Sequence, residues 1–137
     1  VNDIEVFDDR VVITAETESE SRIIYLDGRG HPETFEPTSR GHSIGHWEGD
    51  ALVVETVHFA THRSGNGRGL PSGNEKRLTE RYRVGDDRTR LFVDYVLDDP
   101  EYLIEPLEDT FGWTYSPHMD LIPFSCDTDV ARRYLEE

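Results

Sequence analysis

A chain of 137 residues with Asp+Glu 29 against Lys+Arg 14 has a formal net charge of −15. Such a surface repels phosphate backbones and anionic membranes, so neither nucleic acid nor a lipid surface is expected as a partner. Hydrophobic residues are only 35%, but they gather in strand-like runs, which points to a folded chain of one domain, residues 1–137.

The single cysteine, Cys126, excludes an intrachain disulfide, and no apolar run approaches the ~20 residues of a membrane-spanning helix. No signal peptide is visible, and the chain begins at Val1 without Met, so an upstream segment is left open.

In chain order, Ile4 to Phe7 and Val11 to Ala15 are β-prone runs around Asp8-Asp9-Arg10 and read as a first hairpin. Arg22 to Leu26 is a strand, stopped by Asp27-Gly28-Arg29-Gly30, a turn with a surface ion pair. His31 to Ser39 holds Pro32 and Pro37 and reads as an irregular crossing.

Arg40 to Phe59 follows as a central hairpin with Glu48-Gly49 in the turn. In that register His42 faces Glu55, His46 faces Ala51 and Trp47 faces Asp50. One face carries Arg40, His42, Ile44, His46, Val53, Glu55, Val57 and Phe59; the other carries Ser43, Trp47, Leu52, Val54, Thr56 and His58. Residues 60–75, rich in Gly, Ser and Asn, form the longest loop.

Leu78 to Val84 and Thr89 to Leu97 make another hairpin, Leu78, Glu80, Tyr82 and Val84 alternating along the first strand and Leu91, Val93, Tyr95 and Leu97 sharing a face of the second. Pro106 to Tyr115 is a late strand, and Asp127 is placed to cap a short terminal helix through Leu135. Seven to nine antiparallel strands with little helix imply an all-β meander. A closed, lipocalin-like barrel with an internal pocket is expected ahead of a sandwich, whose exposed edges would favour a homodimer.

The runs Ile24-Tyr25-Leu26-Asp27-Gly28-Arg29, His31-Pro32, and Gly41-His42-Ser43-Ile44-Gly45-His46-Trp47-Glu48-Gly49-Asp50 with Leu52-Val53-Val54-Glu55-Thr56 resemble a widespread bacterial family of hypothetical proteins. Asp99-Pro100-Glu101-Tyr102, Glu105-Pro106 and the late Cys126 are similar to it as well. The resemblance brings no activity. It implies a periplasmic or secreted location, because longer members look exported.

Candidate chemistry centres on the hairpin. His42/His46 and His58/His62 are His-x3-His pairs, but on a strand residues four apart lie ~13 Å from each other. A metal would instead need His42 with His62 and Glu55 or Asp50; no metal and no cofactor is expected, as no phosphate loop, nucleophile elbow or paired CxxC is present.

The sharper arrangement is His42 as a general base, Glu55 as its orienting carboxylate and Tyr25 as an acid or hydrogen-bond donor. Arg40, Trp47, Trp113, Tyr95 and Phe59 would bind substrate. The expected function is a pocket for a small, largely apolar molecule with cofactor-independent acid–base turnover of the lyase, isomerase or cyclase class. The rival is a non-catalytic ligand-binding or protein-interaction domain of an exported assembly.

Overall fold

The computed structural model describes residues 2–17, 20–67 and 69–122. Among the described residues eight strands form one sheet in sequence order: β1 (Asn2–Val6), β2 (Arg10–Ala15), β3 (Arg22–Tyr25), β4 (His42–Glu48), β5 (Ala51–Val57), β6 (Arg77–Val84), β7 (Arg90–Asp98) and β8 (Leu107–Thr114). The all-β expectation and the strand count hold. The terminal helix expected after Asp127 lies outside the described residues, as does Cys126.

Two topological expectations are corrected. The sheet is mixed, because β3 pairs with β4 in parallel, Ile24 beside Ser43 and Tyr25 beside Ile44. It is also an open half-barrel and not a closed barrel: β1 and β8 are the two edges of the strand order. A parallel neighbour cannot be reached through a tight turn. Residues 26–41 therefore leave the sheet and cross one of its faces as a strap.

Each strand alternates, and the sheet curls around one face. There Val11, Ile13, Ile24, Leu52, Val54, Tyr82 and Val93 form the buried core, with Ile4, Leu26, Leu91 and Trp113 packed against it. Burying a side chain the size of valine or isoleucine contributes about 1.5–3 kcal/mol, so this concave face is the main source of stability. Gly45 belongs to it, and a Cβ there would lie 3.0 Å from Ile24 Cγ2 and 3.2 Å from Leu26 Cδ2. The bare backbone lets those two side chains lie across β4.

The central hairpin turns at Gly49-Asp50, giving Glu48 opposite Ala51, Ile44 opposite Glu55 and His42 opposite Val57. The expected register is thus displaced by two residues. Positive φ falls on Gly49 (64°) and on neither neighbour. A turn with glycine first needs only that one residue in the left-handed region, whereas Glu48-Gly49 would also strain a glutamate. A slip of two preserves the alternation, so the predicted faces stand within the two strands. His58, at φ 61° just past β5, instead lies on the His42 side with His31 and Phe35 and not on the opposite face.

The strap is fastened where β5 ends. Thr38 N donates to His58 O at 3.2 Å and Ala60 N donates to Thr38 O at 2.8 Å. Gly41, at φ 64°, turns the chain into β4, and a Cβ there would overlap the Val57 carbonyl oxygen. Residues 66 and 73–75 of the long loop are also fixed. The fully buried Asp99 accepts from Asn66 Nδ2 (2.7 Å) and Gly73 N (2.9 Å), and Glu101 Oε1 accepts from Asn74 N (2.9 Å) and Glu75 N (3.2 Å).

Candidate functional site

The expected site residues fall on opposite faces of the sheet. Tyr25, His42 and Glu55 stand on the convex face beneath the strap. Trp113 and Tyr95 stand on the concave face. Trp47 shares that parity but is 50% exposed at the hairpin tip. Phe59 is buried past the end of β5, with Lys76 Nζ 4.7 Å from its ring centre. Arg40 is partly buried in the turn leading into β4. One internal pocket holding all of these groups is therefore not what the chain builds.

On the convex face, the predicted His42–Glu55 contact is replaced by a bridge through His31. His31 Nδ1 lies 2.8 Å from His42 Nδ1, and His31 Nε2 lies 3.1 Å from Glu55 Oε1. Arg77 Nη1 approaches the other Glu55 oxygen at 3.4 Å. The Tyr25 ring stacks on His42 (5.4 Å between centres, 22°), and Phe35 from the strap meets His42 edge-on (5.4 Å, 69°).

His58 donates Nε2–H to the Pro32 carbonyl (2.9 Å) and stacks on Phe35, which holds the strap over the cluster. His42 is buried, and burial, followed by the charges of His31, His58 and Arg29, lowers its pKa below the usual imidazole value of 6.5. The expected Asp27–Arg29 ion pair is present at 2.6 Å, and the Arg29 guanidinium also lies 3.8 Å from the Tyr25 ring centre.

The other histidines stand apart. His46 pairs with Glu48 at 3.2 Å at the exposed hairpin tip, and His62 is exposed at a bridge to Ser72. Among the described residues no three His, Cys, Asp or Glu groups converge on one point as metal ligands.

The concave face holds a polar network that sequence reasoning missed. Arg22 uses all five of its N–H groups. Nε donates to Ser43 Oγ (3.2 Å), Nη1 to Glu80 Oε1 (3.0 Å) and Tyr82 Oη (3.2 Å), and Nη2 to Thr56 Oγ1 (2.8 Å) and Glu80 Oε2. Tyr82 Oη donates in turn to Glu80 Oε1 at 3.0 Å.

Burial lowers the Arg22 pKa, but the bonds and charge of Glu80 outweigh it and the net shift is upward. Burial, and then the Glu80 charge, push the Tyr82 hydroxyl up. With every donor of the guanidinium engaged, Arg22 has no N–H left for a ligand. Its signal was present in the sequence, since Glu80 alternates with apolar Leu78, Tyr82 and Val84.

Beside this network, between β1 and the end of β8, lies a cavity of about 970 Å³. Ile4, Leu91, Trp113, Tyr115, Met119 and Leu121 supply apolar walls, and Arg88, Arg90, Asp3 and Asp120 also border it. It exists because the barrel is open: residues 115–121 pass from β8 back towards β1, and Ile122 N donates to Glu16 Oε1 at 2.8 Å.

Known proteins add no further constraint. No family model matches the chain, and no curated protein or solved structure matches it.

Proposed function

We propose that this domain binds a small, largely apolar organic molecule in the cleft at its open seam. One observation carries the reading: a cavity of about 970 Å³ whose walls include Trp113, Leu91, Ile4 and Tyr115, with charged side chains confined to a few positions. Small-molecule sites commonly have this volume, apolar walls and a few polar groups that orient the ligand. Arg88 and Arg90 are suited to holding a polar end of the ligand while its apolar body packs against Trp113.

The reading is binding without turnover at this cleft. His42, Glu55 and Tyr25 point from the other face of the sheet and do not line it. The motif resemblance to a bacterial family supplies no activity to add.

Titration with N-phenylnaphthylamine tests the proposal. In a Trp47→Phe background Trp113 is the remaining tryptophan, and saturable quenching of its emission at one probe per chain is expected. Leu91→Arg places a charge in the wall and should abolish binding. Absence of saturation, or undiminished affinity in Leu91→Arg, would overturn the reading.

A further inference from the structure

The convex face carries a second arrangement that does not depend on the cleft. Its logic follows from the two contacts of His31. The Glu55 carboxylate can only accept, so the 3.1 Å contact places a hydrogen on His31 Nε2. A neutral His31 then presents a lone pair at Nδ1. The 2.8 Å contact between the two Nδ1 atoms requires one donor and one acceptor, so His42 supplies Nδ1–H. That leaves the lone pair of His42 on Nε2. This nitrogen makes no hydrogen bond among the described residues, and it is not one of the fully enclosed polar atoms.

We propose that Glu55, His31 and His42 form a proton relay whose outer end, Nε2 of His42, is a general base at the convex surface for a small, planar, neutral weak acid of the phenol type. The flat rings of Tyr25 and Phe35 beside His42 suit a planar ligand. The step balances as a proton transfer alone. The ligand O–H bond breaks and Nε2–H forms on His42; the His42 Nδ1 proton passes to Nδ1 of His31; the ligand remains as its phenolate. The positive charge comes to rest on His31, against the Glu55 carboxylate, instead of on His42 between two aromatic rings.

His42 is the catalytic residue, and His31 and Glu55 are positioning residues. The groups that set the response are His31, Tyr25 and Arg29 from β3 and the strap, His58 and Glu55 from β5 and the turn after it, and Arg77 of β6 on the far side of Glu55. Burial and the neighbouring charges keep His42 deprotonated at neutral pH, so the base is in its working form there.

Nitrogen-15 NMR of the histidine rings in the whole chain tests the relay, with phenol as the probe. The expected result at neutral pH is His42 as the Nδ1–H tautomer, the minor form of free histidine, with a saturable change at Nε2 as phenol is added. Glu55→Gln should lower the His42 titration midpoint by about one pH unit, a tenfold loss of proton affinity, as expected for removing a nearby opposite charge. Glu55→Asp should recover part of that shift.

A role confined to holding the strap would change the melting temperature of Glu55→Gln and leave the midpoint in place, and that outcome overturns the relay. So does a hydrogen on Nε2 of His42 in the unmodified chain, or a phenol response located on other histidines. The tautomer and phenol measurements need no variant, so a failure of Glu55→Gln to fold does not protect the proposal.

Discussion

Replacing Arg22 by methionine is the most demanding test of the concave network. Methionine keeps much of the length and removes all five donors. Glu80, whose side chain is 6% exposed, would then be a carboxylate without its cation, while Arg22 itself is 19% exposed in the intact chain. Breaking a buried pair by removing one partner costs about 3–5 kcal/mol, chiefly because the remaining charge stays desolvated. For a domain of this size that corresponds to a fall in Tm of roughly 10–20 °C.

Ser43 and Thr56 would lose less, because their hydroxyls already bond to each other at 2.8 Å. The companion variant Arg22→Met/Glu80→Leu/Tyr82→Phe removes charge and hydroxyl together. It should return to within about 2 kcal/mol of the starting chain, since apolar replacements of buried ionic groups are often neutral. Urea unfolding at neutral pH, followed by far-ultraviolet circular dichroism, measures both. A loss below about 1 kcal/mol in Arg22→Met would refute the reasoning, because the guanidinium would then be exchanging its partners for water at little cost.

Further outcomes follow from single sites. Asp99→Ala removes the acceptor of Asn66 Nδ2 and Gly73 N, so stability should fall by about 1–3 kcal/mol and proteolysis between residues 60 and 76 should accelerate, as read by mass spectrometry of a timed digest. Gly41→Ala and Gly49→Ala both place alanine at φ 64°, yet only at Gly41 would the new Cβ meet a backbone oxygen. Gly49→Ala should lose about 1–2 kcal/mol and Gly41→Ala clearly more, compared by urea midpoints.

Acid should also act in two windows. His42 has a lowered folded pKa, so its contribution is complete above 6.5, declines as pH falls below 6.5, and levels off beneath the lowered value. Asp94, held at about 2 by Arg83 and then Thr110, adds stability that is present above 3.8 and fades between 3.8 and about 2. Melting curves across this range report both windows.

The faces of the sheet were legible in the sequence because strand alternation survives any slip of two residues. Leu78 to Leu97 and the hairpin from His42 to Val57 were therefore sorted onto the right sides. The register was not legible, because it rests on whether Gly49 takes the first or the second place in the turn.

The placement of His31 was hidden for a topological reason. An antiparallel meander would keep residues 31–39 away from His42; only the parallel pairing of β3 with β4 draws the strap across that face. Arg22 and Glu80 were visible as charges on apolar strands, but they are 58 residues apart, and nothing local joins them. The division of the candidate site between two faces follows from the same point. Trp113 and His42 are distant in sequence, and which face each occupies depends on pairings that accumulate across the whole sheet.

The central claim is that an apolar ligand without an acidic O–H binds at the concave seam and not at the histidine face. Amide chemical-shift mapping during titration with N-phenylnaphthylamine tests it most directly. The account predicts saturable shifts at Ile4, Leu91, Trp113 and Tyr115, with His31, Phe35 and His42 unmoved. Shifts centred on His31, Phe35 and His42, or scattered over the surface without saturation, would contradict it.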